Sequence, residues 1–174
     1  MNRWLALAPL VVLAALALLF GLFALKHDPH VQPHALVGKP LPQVSLPSLD
    51  DGRPVSLASV VSGRGGPVLV NTFASWCAPC ELEAPQLMRL KAGGAVLVGV
   101  AYKDAPDNTK AFLARVGDPY AARLVDRDGR AGIELGVTGV PETYVVGADG
   151  VIQKKYAAPL TDKDVSDLLR QLRR

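Results

Sequence analysis

The chain contains two cysteines, Cys77 and Cys80, separated by Ala78 and Pro79. At that spacing two sulfurs can meet across one helical turn and open and close a disulfide reversibly. A helix starting at the pair would supply unpaired N–H groups and a partial positive charge, which lower the pKa of the first thiol. Cys77 is then the attacking thiolate and Cys80, one turn deeper, the resolving thiol. Two other readings compete. A Cys-x-x-Cys pair is often half of a zinc site, but zinc takes four ligands. Here no third cysteine exists, and the histidines, His27, His30 and His34, all lie well upstream. A purely structural disulfide closing so short a loop would add little chain-entropy stabilisation. Redox exchange fits the pair best.

The elements around the pair must present it. Residues 68–73 form an apolar run of strand character leading into the cysteines. The segment after them is of helical character, with Leu82, Leu87, Met88 and Leu90 available for a buried face. Gly93-Gly94 ends it. Residues 95–101 are a second continuous apolar strand, expected to be buried on both faces and parallel to the first. A helix over 106–116 follows, opened by acidic and capping residues around Asp107. Then come a short strand at 124–125, a brief helical segment over 133–137, and an antiparallel hairpin of residues 143–146 and 151–156 around Ala148-Asp149-Gly150. The last helix opens at Thr161, with Asp164 three residues on as a variant capping box. Val165, Leu168, Leu169 and Leu172 give it the stripe of a helix packed on a sheet. Upstream, residues 41–49 and 54–57 flank Asp50-Asp51-Gly52-Arg53 as a further hairpin, and 59–66 read as a short helix or turn. The order implies a mixed α/β sheet with helices on both faces.

The segment before the last hairpin carries Val140-Pro141 after two glycines. A proline at a strand entrance can be cis in a tight turn or an ordinary trans residue, and the local residues leave both open. The cysteine pair and the order of elements favour cis. Without an N–H of its own, Pro141 would leave a neighbouring backbone free to pair with an extended peptide.

The N-terminus is a separate matter. Residues 4–25 hold no charge, and 22 residues as a helix would reach about 33 Å, enough to cross the hydrocarbon layer. A cleaved signal peptide is the rival, but its apolar core is usually about 7–15 residues. Cutting after Ala15-Leu16-Ala17 would leave residues 18–25 as an exposed apolar tail, so an uncleaved anchor fits better. Charge does not orient it, since Arg3 stands against Lys26 and Lys39. A tethered dithiol is most useful in an oxidising compartment, which places the N-terminus inside and the domain outside. The expected organisation is an anchor over 1–25, a polar, proline-spotted linker over 26–36, and one domain over 37–174. The prolines at 29 and 33 deny the three histidines a helical face, so no metal site is expected there. The net charge of +3 is dispersed, which argues against nucleic acid as partner. Arg170, Arg173 and Arg174 cluster only where cations complement a helix C-terminus.

Trp76-Cys77-Ala78-Pro79-Cys80 with a later Val-Pro before a hairpin resembles the thioredoxin fold. Three segments sharpen the resemblance. They are Trp-Cys-x-Pro-Cys-x-x-Glu-x-Pro over 76–85, Val-Gly-Val-Ala-Tyr-Lys-Asp over 98–104, and Gly-Val-Thr-Gly-Val-Pro-Glu-Thr over 136–143. Together with the anchor, the early hairpin and Ala-Phe-Leu-Ala-Arg at 111–115, they resemble the CcmG family, also called DsbE, of membrane-anchored thiol:disulfide proteins. The last element is the most discriminating; the cysteine motif alone says only thioredoxin-like.

The resemblance implies a single-pass protein of the bacterial inner membrane with its domain in the periplasm. It implies a reductant of apocytochrome c, acting directly or through a mixed disulfide with a partner, before haem attachment. A membrane donor of DsbD or CcdA type would recharge it. Cys77, Cys80 and Pro141 would carry the exchange, needing no cofactor, with Trp76, Pro79, Val140, Glu142 and Thr143 around the client. Ala-Pro between the cysteines resembles the reducing end of the family's range. Ordinary thioredoxins carry a buried Asp six residues before the first cysteine; here Asn71, which cannot titrate, stands there. The acid–base role would pass to Glu83 or Glu142. Glu83, one turn past Cys80, could take its proton or be a solvated helix residue, and Glu142 is expected on a substrate-facing lip. Ala101 stands where the family commonly has Asn, which weakens any client-loop role for Tyr102, Lys103 and Asp104. Two other readings remain: a general reductase of TlpA or ResA type with another client, and a copper-binding module of Sco type. The second normally wants a wider cysteine spacing and a later histidine, and no histidine follows His34.

Overall fold

The computed structural model describes residues 3–24, 36–62 and 64–172. The chain divides into two units, Met1–Val31 and Gln32–Arg174. The first holds α1 (Arg3–Ala24), a helix of 22 residues with Pro9 inside it. Its apolar side chains from Leu10 to Leu22 are exposed. Among the described residues no helix is long and apolar enough to cross a membrane. The expected linker with His27, His30 and His34, and the terminal Arg173 and Arg174, lie outside the described residues.

In the second unit the order is β1 (Ser45–Pro47), β2 (Pro54–Ser56), α2 (Leu57–Val61), β3 (Val68–Phe73), α3 (Ala78–Ala92), β4 (Val96–Tyr102), α4 (Pro106–Val116), β5 (Ala122–Asp126), α5 (Arg130–Glu134), β6 (Glu142–Val146), β7 (Ile152–Tyr156) and α6 (Asp162–Leu172). Five strands form one sheet in the order β5-β4-β3-β6-β7. The apolar runs β3 and β4 pair in parallel, as continuous burial on both faces requires. β5 extends them in parallel, and β6 and β7 close the other side antiparallel.

Alternation along each strand separates two cores. On one face Leu69, Phe73, Leu97, Ala101 and Val145 pack against Leu87 and Leu90 of α3, Phe112 and Leu113 of α4, and Val165 and Leu168 of α6. On the other, Val68, Val70, Val98, Val100, Tyr144 and Ile152 pack against Leu57 and Val61 of α2 and Leu135. Each edge strand is met by the segment before the core at one point: Leu49 N–H donates to the Arg123 carbonyl at β5, and Gly38 and Lys39 exchange hydrogen bonds with Ile152 at the start of β7. The arrangement is a thioredoxin-like α/β fold with an extra hairpin, β1–β2, before the core.

Two local expectations are corrected. The brief helix sits at 130–134 instead of 133–137, because the buried Asp126 carboxylate accepts from Ala131 N at 3.2 Å and Gly132 N at 2.8 Å and so starts it earlier. Gly136, at φ +62, then ends the segment in a left-handed conformation that glycine adopts freely. On α3 the buried set is Cys80, Glu83, Ala84, Leu87 and Leu90, whereas Leu82 is 76% exposed. The stripe is phased by Cys80, and at 3.6 residues per turn that phase turns residue 82 outward.

Candidate active site

β3 delivers the chain to the carboxyl edge of the sheet, where Ser75 is held twice by the buried Asp104 carboxylate, at 2.7 Å through its N–H and 2.9 Å through its hydroxyl. Asp104 also accepts from Ala105 N and Thr109 Oγ1, tying the turn before α3 to the start of α4. Trp76 follows, 60% exposed, its indole N–H donating to the Lys103 carbonyl at 3.2 Å. The Tyr102–Asp104 stretch thus shapes the turn beneath Trp76, and Ala101 is fully buried in the core.

Cys77 is the N-cap of α3, with Pro79 in the first turn, where its missing N–H costs nothing. Cys77 and Cys80 form a disulfide. Cys80 N donates to Cys77 Sγ at 3.1 Å, so a thiolate at Cys77 would already have one helix N–H directed at it. The Val140–Pro141 peptide bond is cis, as expected. The Val140 carbonyl oxygen lies 3.4 Å from Cys77 Sγ, a plain contact while the sulfur carries no proton. Ala78 and Pro79 are exposed and Val140 is half-buried, so the disulfide is rimmed by Trp76, Pro79 and Val140.

Beneath Cys80, Glu83 is only 2% exposed and has no ion-pair partner among the described residues. Its Oε1 accepts from Leu160 N at 2.8 Å, and its Oε2 from Asn71 Nδ2 at 3.4 Å. Burial pushes the Glu83 carboxyl from about 4.5 up to about 7, against the pull of those two hydrogen bonds. A cavity of about 10 Å³ lies between Asn71, Cys80, Glu83 and Tyr120, walled by Leu87, Phe112 and Leu113. It has room for roughly one water. Asn71 is fully buried; its Nδ2 also donates to Thr143 Oγ1 at 2.9 Å, and its Oδ1 accepts from Tyr120 OH at 2.6 Å.

Glu142 is not on a lip. It is 1% exposed and points to the opposite face of the sheet, because β6 alternates and Thr143, not Glu142, shares the face of α3. Its carboxylate meets Lys155 Nζ at 3.0 Å and accepts from Thr138 N, Thr138 Oγ1 and Tyr144 OH. Thr143 is also fully buried, so neither residue is placed to touch a client. Of the residues expected to act together, Trp76, Cys77, Pro79, Cys80, Glu83, Val140 and Pro141 gather around the disulfide.

Sequence reasoning missed Tyr120 and Lys155. Tyr120 follows Gly117-Asp118-Pro119 in a loop with no periodicity to place it. Lys155 is buried because β7 carries an irregularity against Val145 and Val146 that leaves Gln153 unpaired. An extra residue of that kind flips the alternation, so Ile152 and Lys155 share a face that strict period two would deny Lys155.

The Redoxin family matches residues 36–172. The thiol:disulfide interchange protein HelX of Rhodobacter capsulatus is 42% identical over 163 residues, covering 93% of this chain and 91% of its own. The thiol:disulfide interchange protein DsbE of Escherichia coli K12 is 39% identical over 167 residues, covering 94% and 90%. Among solved structures, a secreted thiol-disulfide isomerase from Corynebacterium glutamicum aligns with a TM-score of 0.63 at 26% identity, over 77% of this chain and 86% of that one. A disulfide capping a helix on a thioredoxin-like sheet, joined to relatives of this name at about 40% identity over nearly their whole length, places the chain in the redoxin family, within its DsbE/HelX (CcmG) group of thiol:disulfide interchange proteins.

Proposed function

We propose that this protein is a membrane-anchored periplasmic reductant that opens the disulfide of apocytochrome c, or its mixed disulfide with a partner, before haem attachment. The observation that carries the exchange step of this reading is the buried Glu83 beneath Cys80, with no cation beside it among the described residues. A carboxyl group titrating near 7 can take a thiol proton and give it back at working pH. Cys77 thiolate attacks one sulfur of the client disulfide, forming a mixed disulfide and releasing the other as thiolate. Cys80 then passes its proton to Glu83 and attacks Cys77 Sγ. The Cys77–Cys80 disulfide forms, the second client thiolate leaves, and two electrons have passed from protein to client. Trp76, Pro79, Val140 and cis-Pro141 are where the client backbone would lie. A dithiol donor in the membrane, of DsbD or CcdA type, would return the two electrons.

Anchoring is supported by the uncharged run over residues 4–25 and by its helical conformation over Arg3–Ala24. The periplasmic side and the client rest on the resemblance alone, and the exchange chemistry is supported by relatives named as thiol:disulfide interchange proteins. The test is the equilibrium potential of the whole protein in detergent against a glutathione or dithiothreitol series. A value near thioredoxin's, about −270 mV, is expected; one near DsbA's, about −120 mV, would make it an oxidant and overturn the direction. Alongside it, Cys80→Ser is expected to accumulate mixed disulfides with clients and Cys77→Ser to form none.

A further inference from the structure

Asn71 stands at a crossing of hydrogen bonds where the direction of its amide matters. Glu142 O, 3.5 Å from Nδ2, can only accept, and Glu83 Oε2 lies 3.4 Å from the same nitrogen. On the other side Tyr120 OH is 2.6 Å from Oδ1. The tyrosine has little freedom to choose another partner. Its ring stacks on Phe73 at 4.9 Å between centroids and lies over Gly99, where even a methyl group would come within 2.8 Å of it. We propose that Tyr120 is a positioning residue for thiol–disulfide exchange: its hydroxyl fixes the Asn71 amide so that the N–H, and not the carbonyl, faces Glu83, keeping Glu83 available as a proton acceptor for Cys80. This rests on the reading that Glu83 takes that proton.

A donated N–H favours the carboxylate; a carbonyl turned the same way would favour the protonated acid, which could donate to it. The remaining groups facing Glu83 are few. Its own helix brings Cys80, the segment before α6 brings the Leu160 N–H, and β6 brings the neutral Thr143 hydroxyl. α4 and its end bring Phe112, Leu113 and Val116. Among the described residues none of these is a cation, so only two N–H donors offset the burial of Glu83, that of Leu160 first and that of Asn71 second. Burial, with Glu83 and Asp118 nearby, pushes the Tyr120 hydroxyl well above the usual tyrosine range. It therefore stays a donor at every working pH.

The test loads Cys77 of the full chain with glutathione and follows its release by Cys80 between pH 5.5 and 9. Tyr120→Phe keeps the ring and its stacking but removes the donor. Its acidic limb is expected to rise by roughly half to one pH unit, which at pH 6 is about 3- to 10-fold slower release. Glu83→Gln is expected to lose that limb. If Glu83→Gln loses it while Tyr120→Phe leaves it in place, the positioning role is overturned and the acceptor stands; if Glu83→Gln keeps it, the acceptor reading falls, and the positioning role with it. A carbon-13 titration of the Glu83 carboxyl reads the same midpoint without turnover. Asn71→Ala, which removes the amide and leaves the ring alone, is expected to raise that midpoint as Tyr120→Phe does. A rise in one without the other overturns the route through the amide.

Discussion

Two glutamates are buried on opposite faces of the same sheet, and the protein treats them in opposite ways. Glu142 is met by Lys155, by two donors from Thr138 and by Tyr144 OH, which itself lies 3.0 Å from the Leu135 carbonyl. Lys155 also donates to the Gly136 carbonyl at 2.8 Å. That network pins both ends of the loop that presents Val140 to Cys77. Glu83, on the other face of the sheet, has one backbone N–H and one distant amide, and no cation among the described residues. The lesson is that burial alone does not make a carboxylate reactive. A fully matched one is scaffold, and an under-matched one is held where it can exchange a proton.

The largest effect should come from unmatching the matched carboxylate. Lys155→Met removes the counter-charge from the buried Glu142 carboxyl, and breaking a buried pair from one side costs about 3–5 kcal/mol. Urea unfolding at pH 7 should show that loss, and adding Glu142→Gln should recover most of it. A loss below about 1 kcal/mol for the single variant would erase the distinction between the two sites.

Glu83→Gln probes the other side and should move stability the opposite way. The folded carboxyl titrates near 7 and an ordinary one near 4.5. Below about 4.5 both states hold the proton, and burial costs nothing extra. Between those values the unfolded chain releases a proton that the folded chain keeps, so stability falls as pH rises. Above 7 the full cost is present, about 3 kcal/mol at most. In the oxidised protein Glu83→Gln is therefore expected to be more stable than wild type at pH 8, by roughly 1–3 kcal/mol, and indistinguishable from it near pH 4. The same variant should resolve mixed disulfides roughly 100-fold or more slowly at pH 7. Stability gained where activity is lost is the mark of a residue kept for function. Equal stability at both pH values would mean that the Glu83 carboxyl titrates in the folded protein where it does in the unfolded chain, and that burial does not raise it.

The difference between the two glutamates was only half legible in the sequence. The strands and helices came from apolar runs and their periods, and the redox pair from its spacing and its place after a strand. The capping box at Thr161 and Asp164 is present, with Thr161 N donating to Asp164 Oδ2 at 3.0 Å and Asp164 N to Thr161 Oγ1 at 3.3 Å. Glu83 was marked as a candidate because it lies one turn from Cys80, yet its burial depended on how α3 is phased against the sheet. The sequence predicts an exposed lip for Glu142, whereas its partner, Lys155, reaches the interior through the irregular pairing of β7 and holds it there. Partners far apart in the chain, such as Tyr120 in its loop and Asn71 on β3, leave no local signal in the sequence.

The smallest expected effect tests whether the two sites are separate at all. Leu160 N–H, the shorter of the two bonds to Glu83, belongs to the residue just before Thr161, the N-cap of α6. The cap thus holds the donor as well as the helix. Thr161→Ala should cost about 1 kcal/mol, as loss of an N-cap side chain usually does. If the reading is right, the loss is not confined to α6. Amide exchange at Leu160 should quicken, and the Glu83 carboxyl should titrate slightly higher as its main donor loosens. The Lys155–Glu142 pair, on the other face of the sheet and bonded to none of these groups, should keep its exchange protection at Thr138. Loosening at Thr138 as well would mean that the two carboxylates share one cooperative unit, and that their different chemistry is set by partners alone and not by independent surroundings.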